Sequence, residues 1–188
     1  MEKSTDQELM SMVLKKNTRA LKILYSRYEK PIYNFILRYT GNKEIAQDLL
    51  QETFTRVWFA AHSFNHDSGN FKGWLYTIAL NISRNEMSKK RYAYHYCEIS
   101  EIPYQDEPAG PRSQEPDAEM EQAEVKNAVA KALGKLSPLL REIIILKHYQ
   151  QLKFSEIAEM SQTPEGTLKA RFHRAMAQLK DLLDPREL

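Results

Sequence analysis

Phe154-Ser155-Glu156-Ile157-Ala158-Glu159-Met160-Ser161-Gln162-Thr163-Pro164-Glu165-Gly166-Thr167-Leu168-Lys169-Ala170-Arg171-Phe172-His173-Arg174 decides the reading of this chain. The stretch predicts two short helices joined by a tight turn. Pro164 suits a first helical position, where a missing N–H takes nothing from the helix. Thr163 before it is a candidate cap for the exposed backbone donors. Ala158 is small where the two helices must cross closely, and Leu168 is apolar where the second helix must bury itself. This is a helix-turn-helix pattern.

Projection of the second helix at about 100° per residue sharpens the reading. Leu168, Phe172, Ala175, Leu179 and Leu182 fall near one meridian and form a core stripe. Gly166, Thr167, Ala170, His173 and Arg174 fall on the opposite face, with Lys169 and Arg171 on its flanks. Small residues there let a backbone approach a groove. The long bases beside them reach phosphates or guanine edges. The plainer reading of the same pattern is an amphipathic helix with a solvated basic face.

The whole chain has 188 residues, enough for one compact domain or two small ones. It is 42% hydrophobic and 28% charged, a globular balance. No apolar run approaches the roughly 20 residues of a membrane span. The first residues, Met1-Glu2-Lys3-Ser4-Thr5-Asp6, lack the layout of a signal peptide, so a cytoplasmic location is expected. Cys97 is the only cysteine, which excludes an intramolecular disulfide, and there is no Cys/His cluster with zinc spacing. His62, His66, His95, His148 and His173 lack a paired nucleophile or a ligand spacing, and no glycine-rich phosphate loop is present. The expectation is a protein that is not an enzyme and carries no metal or other cofactor.

The net charge of +2 hides a division. His95 to Gln122 holds eight acidic residues and one base, Arg112, leaving 26 basic and 17 acidic residues elsewhere. Two basic parts separated by an acidic connector fit a nucleic-acid partner. Prolines 103, 108, 111 and 116 among those acids cannot build a core, so the connector reads as a flexible linker.

Helical periodicity fills both flanks. Thr5-Asp6 caps a first helix carrying Leu9, Met12, Val13 and Leu14. Thr18 to Tyr39 makes a second, which Pro31 should kink or divide and Gly41-Asn42 should end. A third runs from about Lys43 to Ala61, a polar loop from His62 to Asn70, and a fourth helix from about Phe71 to Arg91. Periodicity returns near Met120, and Ser137-Pro138 starts another helix ahead of the helix-turn-helix. The fold class expected is all-α: residues 1–94 as one helical domain, 95–119 as the linker, and 120–188 as the helix-turn-helix domain.

Two helix faces exceed what a core needs. On the third helix Ala46, Leu49, Leu50, Thr53, Val57 and Ala60 form the buried side, while Asp48, Gln51, Phe54, Thr55 and Trp58 share another sector. Large aromatics beside Asp and Gln suit a protein-binding surface, or a helix buried on both sides. On the fourth helix Leu75, Ile78, Ala79 and Ile82 make the core. Thr77, Asn81, Arg84 and Ser88 line another face that runs into Lys89-Lys90-Arg91. Hydrogen-bonding side chains in a row, ending in bases, suit a nucleic-acid strand. Phe64, Phe71, Trp74 and Tyr76 lie in or near the preceding loop, placed either to stack on unpaired bases or to fill the core.

These pieces in this order resemble a bacterial RNA polymerase sigma factor of the short, extracytoplasmic-function (ECF) type, over nearly the whole chain. Asp48-Leu49-Leu50-Gln51-Glu52-Thr53-Phe54-Thr55-Arg56-Val57-Trp58 is similar to the segment that docks on the polymerase clamp. The resemblance thus implies that Asp48, Gln51, Glu52, Phe54 and Trp58 bind core polymerase. Phe71-Lys72-Gly73-Trp74-Leu75-Tyr76-Thr77-Ile78-Ala79-Leu80-Asn81 resembles the segment that opens and reads the minus-ten element. It implies that the loop Ser63 to Asn70 and Asn81 hold a flipped-out base, with Phe64, Thr77, Arg84, Ser88, Lys89, Lys90 and Arg91 along the strand. Pro164 to Arg174 resembles the helix that reads the minus-thirty-five element as duplex, through Gly166, Thr167, Lys169, Ala170, Arg171, His173 and Arg174. Gln162 stands where that turn usually has glycine, so a left-handed backbone there would strain it. The partners implied are core RNA polymerase, promoter DNA and a cognate anti-sigma factor, with no membrane insertion of the chain itself. An ordinary helix-turn-helix regulator with a sensing domain has no reason to carry the minus-ten-like helix. An RNA-modifying enzyme would need a catalytic constellation that the chain lacks.

Overall fold

The computed structural model describes residues 4–66, 70–89 and 116–183. Eight α-helices and no strands occur among them: α1 (Asp6–Leu14), α2 (Thr18–Thr40), α3 (Lys43–Phe59), α4 (Phe71–Ser88), α5 (Pro116–Lys135), α6 (Pro138–Ile144), α7 (Phe154–Ser161) and α8 (Glu165–Leu182). A 3-10 turn, Ala61–Ser63, follows α3, and a π-helical turn, Ile145–Tyr149, continues α6. They gather into two compact units. One holds the residues up to Ile36 and those from Lys43 through α4; the other holds Leu37–Asn42 with α5 to α8. The end of α2 therefore groups with the second unit, unlike the single boundary near residue 94 expected from composition. Residues 95–115 of the expected linker, with Cys97, lie outside the described residues. Positions 116–119, also expected in the linker, form the start of α5 instead. A proline is compatible with a first helical turn.

Local sequence rules account for most ends. The Thr5 hydroxyl accepts from the Glu8 N–H (3.2 Å), and the Glu8 carboxylate accepts from the Thr5 N–H (2.8 Å), a reciprocal cap on α1. Leu9, Met10 and Val13 are the buried face of α1, and Leu14 on the same helix is exposed. α2 runs through Pro31 as one helix, so of the two expected outcomes, a kink or a division, the division does not occur. Ile32, Phe35 and Ile36, the next residues on its buried face, hold it in the core. Gly41 ends α2 with φ 70° and donates its N–H to Leu37 O at 2.8 Å. Asp6 ties α1 to α2 by accepting from Arg27 at 2.8 Å and from the Tyr28 hydroxyl. Burial, and then that hydrogen bond, push the Tyr28 phenol well above its ordinary range.

The second unit is built around Leu133, Leu136, Leu140, Ile143, Ile144, Ile145, Leu146, Ile157 and Leu168. Here the helix-turn-helix differs in detail from expectation. Helix α8 begins at Glu165, with Pro164 outside it in extended backbone (φ −56°, ψ 139°). The Thr163 hydroxyl donates to Ser161 O (3.2 Å) instead of capping α8. The turn is closed by the Thr163 N–H to Ala158 O (3.2 Å), and this requires Gln162 in the left-handed region at φ 51°, ψ 39°. A side chain costs about 1–2 kcal/mol there, partly offset by the entropy that glycine loses on folding. Gln162→Gly is thus expected to raise stability by about 0.5–1 kcal/mol, read as a higher midpoint in chemical denaturation.

Candidate nucleic-acid and protein interfaces

Helix α8 divides its residues largely as projected, though Leu182 at its end is half-buried. Leu168, Ala175 and Leu179 are buried, and Phe172 is half-buried against Phe154 in an edge-to-face contact at 5.8 Å. Gly166, Thr167, Lys169, Ala170, His173 and Arg174 are exposed, and Arg171 is half-exposed. A Cβ added at Gly166 would meet nothing within 4 Å, so the start of this face is open. Lys169 lies 3.4 Å from Glu165 and 5.9 Å from the Phe154 ring centre. Lys147, absent from the sequence-derived set, brings a second ammonium to 5.2 Å from the same ring. Both cations gain from the ring's electron-rich face; Lys169 is exposed, and the Lys147 ammonium also donates to Leu152 O at 3.2 Å. Nothing in local spacing ties Lys147 to α8; only packing does.

Helix α4 starts on a cap that sequence reading passed over. The Gly73 N–H donates to Asn70 Oδ1 at 2.8 Å. A Cβ on Gly73 would stand 2.5 Å from Asn70 Nδ2, so glycine is needed for the cap to fit. Asn81 and Ser88 are exposed, and Thr77 and Arg84 are half-buried. The Thr77 hydroxyl donates to Gly73 O (2.9 Å), and the Ser88 hydroxyl donates to Asn85 O (2.7 Å), so both turn back to their own helix. Lys89 pairs with Glu86 at 2.6 Å. Asn81 has no hydrogen-bond partner among the described residues and presents its amide to solvent. Lys90 and Arg91 lie outside the described residues, as do positions 67–69 of the preceding loop.

Of the aromatics near that loop, Phe64, Phe71 and Tyr76 fill the core and Trp74 is half-buried. Phe64 is buried at 4% exposure, with Phe71 at 6.0 Å, Trp74 at 5.4 Å and the His66 ring at 4.9 Å. Phe71 also meets Tyr28 edge-on at 5.3 Å, and Tyr76 meets Phe35 at 5.3 Å. Phe64, expected along the minus-ten strand, is thus a packing residue that anchors the loop. Its ring is more favourable buried among aromatic edges than exposed to solvent.

On α3, Asp48, Gln51 and Glu52 are exposed, with Glu52 paired to Arg56 at 2.6 Å. Trp58 is half-buried, and Lys16 covers its ring at 5.0 Å while donating to the Trp58 carbonyl at 3.3 Å. Phe54 corrects the sequence reading. It is buried, edge-on to Tyr25 at 4.8 Å, and offers no surface to a partner. Phe54 lies at the margin of the sector, where the flank of α2 closes over it.

Two all-α units, one ending in a helix-turn-helix with an open basic face, have the form of a DNA-binding protein. Residues 24–93 match the family model for Sigma-70 region 2, and residues 126–179 match that for Sigma-70, region 4, together well over half of the chain. The chain belongs to the sigma-70 family. It is 28% identical to the ECF RNA polymerase sigma-E factor of Escherichia coli (strain K12), over 98% of this chain and 97% of that one. It is 27% identical to the RNA polymerase sigma-H factor of Pseudomonas aeruginosa, over 96% and 94%. Among solved structures, CnrH in complex with the cytosolic domain of CnrY superposes with a TM-score of 0.69 at 25% identity, covering 96% of this chain and 98% of that one. The sigma factor RpoE of Bartonella quintana, in complex with the anti-sigma factor NepR, gives 0.66 at 27% identity, over 87% and 96%. This chain is accordingly a sigma factor of the ECF kind, acting in promoter-directed transcription initiation. No helix among the described residues is long and apolar enough to cross a membrane.

Proposed function

We propose that this sigma factor docks on core RNA polymerase through the exposed side of α3, reads the minus-thirty-five element as duplex with α8, and holds one extruded base of the minus-ten element at Asn81. The observation that carries this division is the contrast between the two DNA-facing helices. α8 offers small residues flanked by bases, a surface for a continuous groove. α4 offers one uncommitted amide between hydroxyls that bond their own backbone, a surface for a single base edge. A cognate anti-sigma factor belongs to this reading, supported by the Bartonella neighbour captured with NepR. The protein acts as a dissociable specificity subunit, and no group-transfer chemistry is required of it.

Transcription by core polymerase with Asn81→Ala and Arg174→Ala separates the two roles. Arg174→Ala is expected to weaken binding to minus-thirty-five duplex by about 1–3 kcal/mol and relax specificity at one position. Asn81→Ala should leave that binding intact yet reduce permanganate-reactive thymines on linear promoters. A pre-melted template should restore its activity, because the unstacking of a few kcal/mol has then already been supplied. Equal opening of linear promoters by Asn81→Ala and the parent chain would remove the base-holding role.

A further inference from the structure

The most exposed large apolar side chain among the described residues is Phe59, at 69%. It is the last residue of α3 and was not in the sequence-derived polymerase set. At about 100° per residue it lies within about 20° of Asp48, three turns further on, with Glu52 and Thr55 between them. All four are exposed, and Gln51 flanks them. Phe54 sits about 120° from Asp48 and is buried; Trp58 sits between and is half-buried. The aromatic that shares the solvent-facing stripe is therefore Phe59.

Its position is held from behind. Lys16, in the left-handed region at φ 62°, donates to the carbonyl of Trp58 (3.3 Å) and lies over the Trp58 ring (5.0 Å). That carbonyl is one of those a helix end leaves without an internal partner, and a cation there also suits the helix dipole. The terminal turn of α3 is thus fixed by a residue from outside the helix, and Phe59 is carried outward on an ordered turn. An exposed phenylalanine on an ordered turn, continuous with a polar docking stripe, has the form of an interface anchor.

We propose that Phe59 is the apolar anchor of the polymerase-docking surface, entering an apolar socket on core polymerase whose rim is basic toward Asp48. The inference rests on the reading of α3 as the docking helix. It is tested with the full chain and core polymerase, using Phe59→Ser, Phe59→Leu and Asp48→Lys, with thermal melting and sedimentation of each free variant. Phe59→Ser is expected to weaken core binding by about 10- to 100-fold with an unchanged melting temperature, and Phe59→Leu to recover most of the loss. Parental affinity in Phe59→Ser while Asp48→Lys binds weakly would overturn the anchor and keep the docking helix. Parental affinity in both would remove the docking helix as well. If Phe59→Ser changed only self-association, the occupant would be a second copy of this chain and the proposal would fail. A Phe59→Ser chain that melted early would also overturn it, since the ring would then be serving the fold.

Discussion

Phe54→Ala is expected to lower the stability of the N-terminal unit by about 3–5 kcal/mol, the range for deleting a buried phenyl ring. Phe54 is 5% exposed and packs edge-on to Tyr25 at 4.8 Å, so removal leaves a cavity between α3 and α2. A surface hot spot would behave otherwise, losing partner affinity at constant stability. The readout is built into the sequence. The chain has two tryptophans, Trp58 and Trp74, and both lie in this unit, so urea unfolding followed by tryptophan fluorescence reports on it alone. An unchanged midpoint would show that Phe54 is surface-accessible and return it to the docking set. A shifted midpoint would leave Phe59 as the exposed aromatic of α3.

Arg141→Ala is expected to cost a comparable amount in the second unit. Arg141 is buried at 6% exposure. Its Nε donates to Leu133 O (2.9 Å), and its Nη2 donates to Gly134 O (2.8 Å) and Leu136 O (3.1 Å). Leu133 and Gly134 lie in the last turn of α5 and Leu136 follows it; the Leu133 carbonyl also accepts from the Leu136 N–H at 3.2 Å, while a helix end leaves its last carbonyls without α-helical partners. One guanidinium thus caps α5 from α6 and joins two helices of the core. Each buried carbonyl that loses its only donor costs about 1–3 kcal/mol, so the variant should lose about 3 kcal/mol or more. Lysine is a poor substitute, since a single ammonium cannot present the same planar fork of donors. Far-UV circular dichroism should show an early loss of helix on heating. Binding to minus-thirty-five duplex should fall with it, because α8 packs on α6. Parental melting in Arg141→Ala would mean that water replaces the fork without penalty.

The same two residues mark where sequence reading stops. Arg141 reads in sequence as one more base on an amphipathic helix, and nothing local distinguishes it from solvent-facing Arg174. Its partners are carbonyls, which every residue carries: those at the end of α5 and, through Nη1, that of Tyr39 near the end of α2 (2.9 Å), so only tertiary packing selects it. Phe54 and Phe59 are both apolar residues on α3. Projection places them on different sides, but how far the buried arc extends depends on where α2 closes over the helix.

What the sequence determined by itself was everything that repeats with the helix or depends on one backbone position. Leu168, Ala175 and Leu179 are buried and Lys169, Ala170, His173 and Arg174 are exposed because period fixes direction. The cap at Thr5 and the end of α2 at Gly41 follow from local hydrogen bonding and glycine's access to positive φ. The tertiary structure decided what depends on distance in space: the burial of Phe64 and Phe54, Lys147 beside Lys169 on one ring, the continuity of α2 through Pro31, and the exposure of Phe59. Periodicity gives the direction of a side chain. It does not say whether a neighbouring helix or water lies in that direction, and on that difference rests the separation of core from interface.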